Sequence, residues 1–453
     1  EKTFALQMVH QGYIEPHNAT AHWDEDDRIK VWTSTQGAFP VRTSTAAILD
    51  MDVSRIKVTP LEIGGGFGGK IPVYLEPVVS ILSKKSGRPV KAIMERSNVF
   101  QASGPAPGGT ITVKMGTDKD ANIIAAETSI KLEAGGFPGA AVGAAVQCIF
   151  APYDIPNTRI DGYDIVVNKP KSAAYRAPGS PQAAFAAETV SDELARIHNM
   201  DPIDFRLQNA SKEDTRRADG VVFPKIGNVE VLEAAKASDH WKSDLGTPPK
   251  GRVRGRGVAS GYWFNVGLKS AVSLTVNNDG SVALVEGSTD IGGTRTSISM
   301  QAAEVLGIGV ENFIPSVGDT DTAGYADVTG GSRTTYATGF AAVKAAENLI
   351  EVLKERCAII WSLDKNDIDF SDGTFYASKD PELKFSFKDL ASNLDNTGGP
   401  ASSTGSVDLE SAGGAFGTHI VDVDVDPDTG KTDVARYTVV QDVVTAIYPA
   451  SVR

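Results

Sequence analysis

Residues 62–77, EIGGGFGGKIPVYLEP, decide how this chain is read. Gly64, Gly66 and Gly69 satisfy the spacing G-x-G-x-x-G of a dinucleotide-binding turn. That reading needs a strand before the glycines, a crossover helix after them and an acidic residue closing the next strand. RIKVTPLEI can be the first strand, and RPVKAIMERS, with Glu95, the second. The helix is the weak link. Pro72 suits a first turn, but Pro77 falls a turn later, where it removes an internal hydrogen bond and clashes with the turn before it. Five glycines in residues 64–69 around the single Phe67 also exceed what a dinucleotide turn requires. They suit a loop whose bare amides press against a ligand, with one aromatic wedge.

Three further small-residue loops follow at element ends: SAAYRAPGSPQ (172–182), EGSTDIGGTRTS (286–297) and VTGGSRTT (328–335). Each couples backbone amides to an arginine or hydroxyls. Any one of them could merely turn a corner. Four spread over the chain point to a large, anionic, phosphate-bearing ligand buried between domains.

The rest of the chain sets the frame. Its 453 residues exceed one ordinary core. No apolar run approaches the length of a membrane span, and the net charge of −13 repels phosphate backbones, which argues against nucleic acid. The one basic cluster, KGRVRGRG (250–257), reads as a linker, and the Pro-, Gly- and Arg-rich stretch around it as a boundary between domains 1–245 and 246–453. ITVKMGTDKDANIIAAETSIKLEAG, AVSLTVNNDGSVALVEGSTDI and THIVDVDVDPDTGKTDVARYTVVQDV each read as strand, polar turn, strand. GSPQAAFAAETVSDELARIHNMDP reads as a helix capped by Ser180, with Pro181 in its first turn and an apolar stripe of Phe185, Val190, Leu194 and Ile197. A second helix starts near Gly339, and a third lies in SISMQAAEVLGI. The class is α+β, with mixed sheets in two large domains. Two distant cysteines, with Cys357 packed on a helix's apolar side, suit a reducing cytoplasm. The start, EKTFALQMVHQGYIEP, has no charged and apolar pattern of a secretory signal.

Two motifs are set aside. DVDVDPDTG (422–430) begins like a calcium loop, but Pro427 stands where the sharp turn needs glycine and Asp433 where a bidentate glutamate belongs. It reads as strand and turn. His10, His17 and His22 have no zinc-ligand spacing.

GGGFGGK, AAYRAPGSPQAAFAAETVSDELA, MDPIDFRLQNA, VHQGYIEPHNATA and GDTDTAGYADVTGGSRTT together resemble the molybdenum-binding subunit of the xanthine dehydrogenase and aldehyde oxidase family of molybdenum hydroxylases, across essentially the whole chain. The resemblance implies the family's molybdopterin-binding fold and a molybdenum ion held by a pterin cofactor, in bacteria usually its cytosine dinucleotide form. It implies insertion of a water-derived oxygen at an electron-poor carbon of an aldehyde, aromatic compound or N-heterocycle. Electrons then leave through [2Fe-2S] clusters to FAD on partner subunits, in the cytoplasm. Carried over by position, Gly66, Phe67 and Gly68 would lie beside the metal. Arg176 and Ala177 would face it from the other side, with Pro178 and Gly179 shaping the approach. Gly292, Gly293, Thr294, Arg295 and Thr296 would hold the cofactor, as would Gly331, Ser332 and Arg333. Phe67 and Arg176 are the expected catalytic residues. No protein side chain is expected to ligate the metal. Glu15 and His17 are expected to bond neighbouring backbone.

The departures narrow the expectation. Many relatives have a glutamine in the third loop, spelled G-Q-G, where this chain has Gly293. Purine-oxidising relatives have a glutamate after GGGFGGK, where this chain has Ile71. Carbon monoxide oxidisers have a cysteine beside the arginine of the second loop, and YRAPG has none. The family's general base is a glutamate in a C-terminal G-x-G-E type loop. The chain stops at QDVVTAIYPASVR before that loop, and the opening domain is also missing. The expectation is therefore a middle portion of the module, with the base on another chain or in a missing segment. The rival is a non-catalytic molybdopterin-binding or assembly protein with the same fold. A nicotinamide dehydrogenase built on Gly64, Gly66 and Gly69 ranks below both.

Overall fold

The computed structural model describes residues 1–443 and 445–452. It has mixed α and β structure divided into two compact units, each assembled from separated stretches of chain. The first comprises residues 1–10, 104–264 and 413–446; the second comprises residues 11–103, 265–412 and 447–453.

In the first unit a four-stranded sheet runs in the order Lys2–Leu6, Gly109–Thr117, Ile123–Gly135, Thr158–Val166. The central pair is the expected hairpin, with Val113 opposite Thr128. The helix Ser180–Ile197 packs on it, only in part through the predicted stripe: Val190 is buried and Leu194 packs against the core. Ala183, Ala186, Ala187, Val190 and Ala195 are its buried face, while Phe185 and Ile197 are 52% and 76% exposed. Alanine lets the helix approach closely, so small residues carry the contact. Ser180 is not the cap either: Gly179, at φ +87, starts the helix, and the Ser180 hydroxyl donates to the carbonyl of Tyr262 at 2.8 Å. A Cβ at Gly179 would lie 2.6 Å from the carbonyl oxygen of Ala141, so only glycine fits.

Under this helix Arg206, fully buried, donates to Glu188 and pairs with Asp192, each at 2.8 Å. The Glu188 carboxylate also accepts the Tyr153 hydroxyl and the Ser260 amide, each at 2.6 Å. This network is the polar centre of the unit.

The basic cluster read as a linker runs into a strand, Val253–Asn265, beside Ala412–Val425 and Thr432–Gln441. Alternation aims Arg254 and Arg256 to one side, where each grips an aspartate of the neighbouring strand through two bonds, Asp424 at 2.7 and 2.8 Å and Asp422 at 2.7 and 2.9 Å. Asp422 and Asp424 of the false calcium loop are thus ion-pair partners in a strand.

The second unit has a sheet in the order Ile56–Pro60, Ile29–Thr33, Asn18–Trp23, Val90–Ile93. A helix does follow the glycines, but it begins at Glu76, with Pro77 in its first turn, where proline is tolerated. Pro77 is therefore no obstacle to a helix. What rules out the dinucleotide fold is topology. The strand after the helix, Val90–Ile93, is not a neighbour of Ile56–Pro60 but lies at the opposite edge of the sheet, and the strand between them, Asn18–Trp23, runs antiparallel to its neighbours, so the glycines do not join two adjacent parallel strands.

A second sheet of this unit runs Phe313–Val317, Val282–Glu286, Leu268–Val276, Ala401–Leu409. The helices Thr294–Leu306 and Gly339–Trp361 cover it, burying Leu274, Leu284, Ile298, Leu349 and Cys357 in one core. Cys148 and Cys357 are both buried and unpaired by disulfide. No described helix is long and apolar enough to cross a membrane.

Candidate cofactor-binding loops

Three of the four small-residue loops belong to the second unit, and two buried polar residues stitch them together. Gln36 follows the strand Ile29–Thr33 in a run, Thr33 to Gln36, that is entirely buried. Its carboxamide oxygen accepts the amides of Gly68 at 2.8 Å and Lys70 at 3.2 Å, and its nitrogen donates to the Thr329 carbonyl at 2.8 Å. Thr329 in turn gives its amide to the Gln36 carbonyl and its hydroxyl to the Thr289 carbonyl. Residues 64–70, 289–296 and 329–333 are thereby held as one construction.

The glycines of the first loop are needed as much by the protein as by any ligand. A Cβ on Gly66 would lie 2.5 Å from the Gln36 oxygen, on Gly64 2.5 Å from Glu15, and on Gly69 2.7 Å from Tyr13. The Glu15 carboxylate receives the Gly64 amide at 2.6 Å, the fully buried Lys70 ammonium at 2.7 Å and the Ser34 hydroxyl at 2.6 Å. Glu15 thus clamps both ends of the loop through backbone and side chain. The His17 imidazole bonds the Tyr13 hydroxyl at 2.6 Å, and its carbonyl takes the Met94 amide. The amides of Gly65, Gly66 and Phe67 take no hydrogen bond among the described residues. Phe67 is 45% exposed.

Burial works against ionising Glu15, but Lys70, Ser34 and the Gly64 amide outweigh it and hold the carboxyl at about 2, against an ordinary 4.5. A depressed folded value gives stability that is present above the ordinary value and is lost as pH falls towards the folded one. Glu15→Gln is therefore expected to cost about 1–2 kcal/mol at neutral pH, allowing for solvent screening, with the difference from wild type closing between about pH 4.5 and pH 2. Denaturant unfolding across that range checks it; a difference independent of pH would contradict the clamp.

In the loop 287–296 the Asp290 carboxylate accepts the amides of Gly292 at 2.8 Å, Thr294 at 3.1 Å and Arg295 at 3.3 Å, and the Arg295 Nε at 2.8 Å. The other end of Arg295 reaches Glu62 at 2.8 and 3.0 Å. Burial opposes ionisation of Asp290, but these donors hold it at about 2. Gly292 and Gly293 have positive φ, and a Cβ on either would meet nothing within 4 Å, so that stretch of backbone is open. A cleft beside it is lined by Leu61, Glu62, Thr289, Asp290 and Arg295.

In the third loop Arg333 is fully buried and spends its guanidinium on the carbonyls of Gly267, Asp327, Val328 and Lys269 and on the Ser270 hydroxyl. Ser270 continues through Thr338 to Ser288, each link 2.8 Å, which ties this loop to the second a further time. Arg333 therefore shapes the loop from within. The hydroxyls of Thr289 and Thr334 are buried without a partner among the described residues.

The remaining loop belongs to the first unit. Arg176 is exposed, and its guanidinium has no hydrogen bond or ion pair among the described residues. Of the predicted residues, Gly66, Phe67, Gly68, Gly292 to Thr296 and Gly331 to Arg333 are brought together in the second unit, and Arg176 and Ala177 lie in the first. Phe67, Ala177 and Ser332 are non-glycine residues at φ 53, 55 and 60, one in each of three predicted loops. Such left-handed residues cost energy and persist where surrounding structure over-determines them, often at functional sites. Sequence reasoning missed Gln36, Thr329, Asp290 and Glu286.

Comparison with known proteins adds the family. One model described as a molybdopterin cofactor-binding domain matches residues 1–210, and a second with the same description matches 230–453. The chain is 28% identical over 438 residues to the aldehyde oxidoreductase molybdenum-binding subunit PaoC of Escherichia coli O157:H7, covering 93% of this chain and 57% of the relative. It is 29% identical over 461 residues to the xanthine dehydrogenase molybdenum-binding subunit of the same organism, covering 97% and 61%. The crystal structure of quinoline 2-oxidoreductase from Pseudomonas putida 86 superposes with a TM-score of 0.88 at 22% identity, over 100% of this chain and 62% of that one, a likeness of fold. The chain thus spans about three fifths of the length of these relatives.

Proposed function

The chain belongs to the molybdopterin-binding subunits of the xanthine dehydrogenase and aldehyde oxidase family, and on that premise we propose that it is the cofactor-binding part of a multi-subunit molybdenum hydroxylase or dehydrogenase. Its reaction would insert a water-derived oxygen at an electron-poor carbon of an aldehyde, aromatic compound or N-heterocycle. Electrons would pass to [2Fe-2S] and FAD partner subunits in the cytoplasm. The general-base glutamate would come from another chain or a further segment. The division into domains 1–245 and 246–453 and the cytosine dinucleotide form of the cofactor belong to the same proposal.

The observation that carries it is the construction of three loops on Gln36 and Thr329. The loops offer what an anionic pterin dinucleotide needs: free amides at Gly65, Gly66 and Phe67, open backbone at Gly292 and Gly293, and unpartnered buried hydroxyls at Thr289 and Thr334. When bound, the group supplies two-electron oxidation with oxygen transfer. Around it, aimed amides stabilise negative charge without reorganising. Gly66, Phe67, Gly68, Gly292, Gly293, Thr294, Thr296, Gly331 and Ser332 would hold it, with Arg295 and Arg333 fixing loop shape. The exposed Phe67 ring and the unengaged Arg176 guanidinium would orient substrate.

Ile71 narrows the substrate. Its side chain packs by Gly330, 3.2 Å from where a Cβ would stand; on this reading an apolar group would stand where purine-oxidising relatives carry a glutamate, and it could not bond a purine nitrogen. The complete complex is therefore expected to oxidise aldehydes or simple N-heterocycles and to leave hypoxanthine untouched. Assay in water carrying heavy oxygen tests it. Label in the product supports the reading; oxidation without label, or preference for purine, defeats it. The rival, a non-catalytic cofactor-binding or assembly protein, draws on Gly293 in place of the relatives' glutamine. A complex that binds molybdenum but oxidises nothing in such a panel would favour it.

A further inference from the structure

We propose that Glu286 is a buried proton-binding site beneath the loop 287–296, and that capture of an anion by this loop is coupled to its protonation; the coupling rests on the cofactor reading above. Along the strand Val282–Glu286 the inward positions are Val282, Leu284 and Glu286, each 0% exposed. Glu286 thus stands where the pattern calls for an aliphatic residue, flanked in register by Val272 and Val317. Neither of its carboxyl oxygens has a hydrogen-bond partner among the described residues. An ionised carboxylate there would be a buried, unpaired charge, which is far more costly than a neutral acid.

The charged groups facing it are Asp290 in its own loop, Arg295 in the first turn of the helix Thr294–Leu306, and Arg333 from the loop 328–333. Both arginines are already engaged, Arg295 by Asp290 and Glu62, and Arg333 by carbonyls and the Ser270 hydroxyl. Burial first, and then the Asp290 carboxylate, push the Glu286 carboxyl up to about 8 against the pull of the two arginines. The side chain is therefore a neutral acid at neutral pH. An anion arriving at Gly292 and Gly293 adds negative charge above it and favours the proton further. By reciprocity, a proton on Glu286 favours the anion. Retention of the anion should weaken as pH rises through the carboxyl's range, at most tenfold per pH unit for one linked proton.

The test uses the complex purified with all its partner chains. Infrared spectra of wild type are expected to show a carboxylic-acid carbonyl band at neutral pH that titrates near pH 8 and is absent from Glu286→Gln. Asp290→Asn should move that titration to lower pH, which keeps the assignment decidable if Glu286→Gln folds poorly. Molybdenum retained after dialysis between about pH 6 and pH 9 should fall in wild type and stay flat in Glu286→Gln. A wild type without the band, or parallel retention curves, overturns the proposal. Retained metal with no band sinks the Glu286 site alone and leaves the cofactor reading standing. A band with no metal in either form at any pH sinks the cofactor reading and the coupling with it.

Discussion

Gly68→Val is expected to abolish molybdenum retention in the purified complex, from near stoichiometric to less than about a tenth. Gly68 sits at φ +104, a conformation barred to a β-branched residue, and its amide is the 2.8 Å donor to Gln36. To accept valine, the backbone must leave that region, which breaks the Gln36 bond and releases the link through Thr329 to the other two loops. The strain is of order 1–3 kcal/mol, and a buried carboxamide oxygen loses one of two donors at about 1–3 kcal/mol. Both fall on a loop otherwise held by the Glu15–Lys70 clamp and by the backbone of Lys70, which bonds Thr35 and Gln36. Elemental analysis of the variant, with limited proteolysis to show the fold intact, checks this. A variant with normal metal content would remove the first loop from the cofactor site.

Arg206→Ala should unfold the first unit more severely than any surface change, costing about 3–5 kcal/mol. The substitution leaves Glu188 buried with its charge uncompensated, still holding the Tyr153 hydroxyl and the Ser260 amide. The cost comes from stranding a partner rather than from the ion pair itself, since buried pairs are dear to desolvate. Accordingly Arg206→Met with Glu188→Leu should recover part of the loss. Thermal unfolding of the three proteins decides the matter, and a single Arg206→Ala variant within about 1 kcal/mol of wild type would contradict it.

What the sequence disclosed follows from how local each signal is. The hairpins of residues 109–135, 268–286 and 412–441 were legible because alternation and a polar turn lie within one short window. The helix Ser180–Ile197 was legible, but its buried face only in part, through Val190 and Leu194. A stripe drawn through Phe185 and Ile197 weighs size, whereas the actual contact is made by alanines that permit close approach. The arginines of residues 250–257 looked like linker because their aspartate partners lie some 170 residues away in sequence.

The candidate site divides in the same way. Its loops showed themselves as glycine clusters, yet Gln36 was invisible as a lone glutamine in WTSTQGAF. A faint signal existed: four polar residues in succession after an apolar strand, all of which prove buried. Glu286 carried a plainer one, a glutamate in the inward phase of VALVE. Period-two reading applied to the odd residue, and not only to the apolar ones, would have found it.

The central claim is that these loops hold a molybdenum cofactor. Molybdenum per chain, determined by elemental mass spectrometry on complex purified from its native source with every co-purifying polypeptide retained, tests it most directly. The account predicts close to one metal atom per chain. Intact complex without molybdenum would contradict it and leave a protein that has the family's loops without its cofactor.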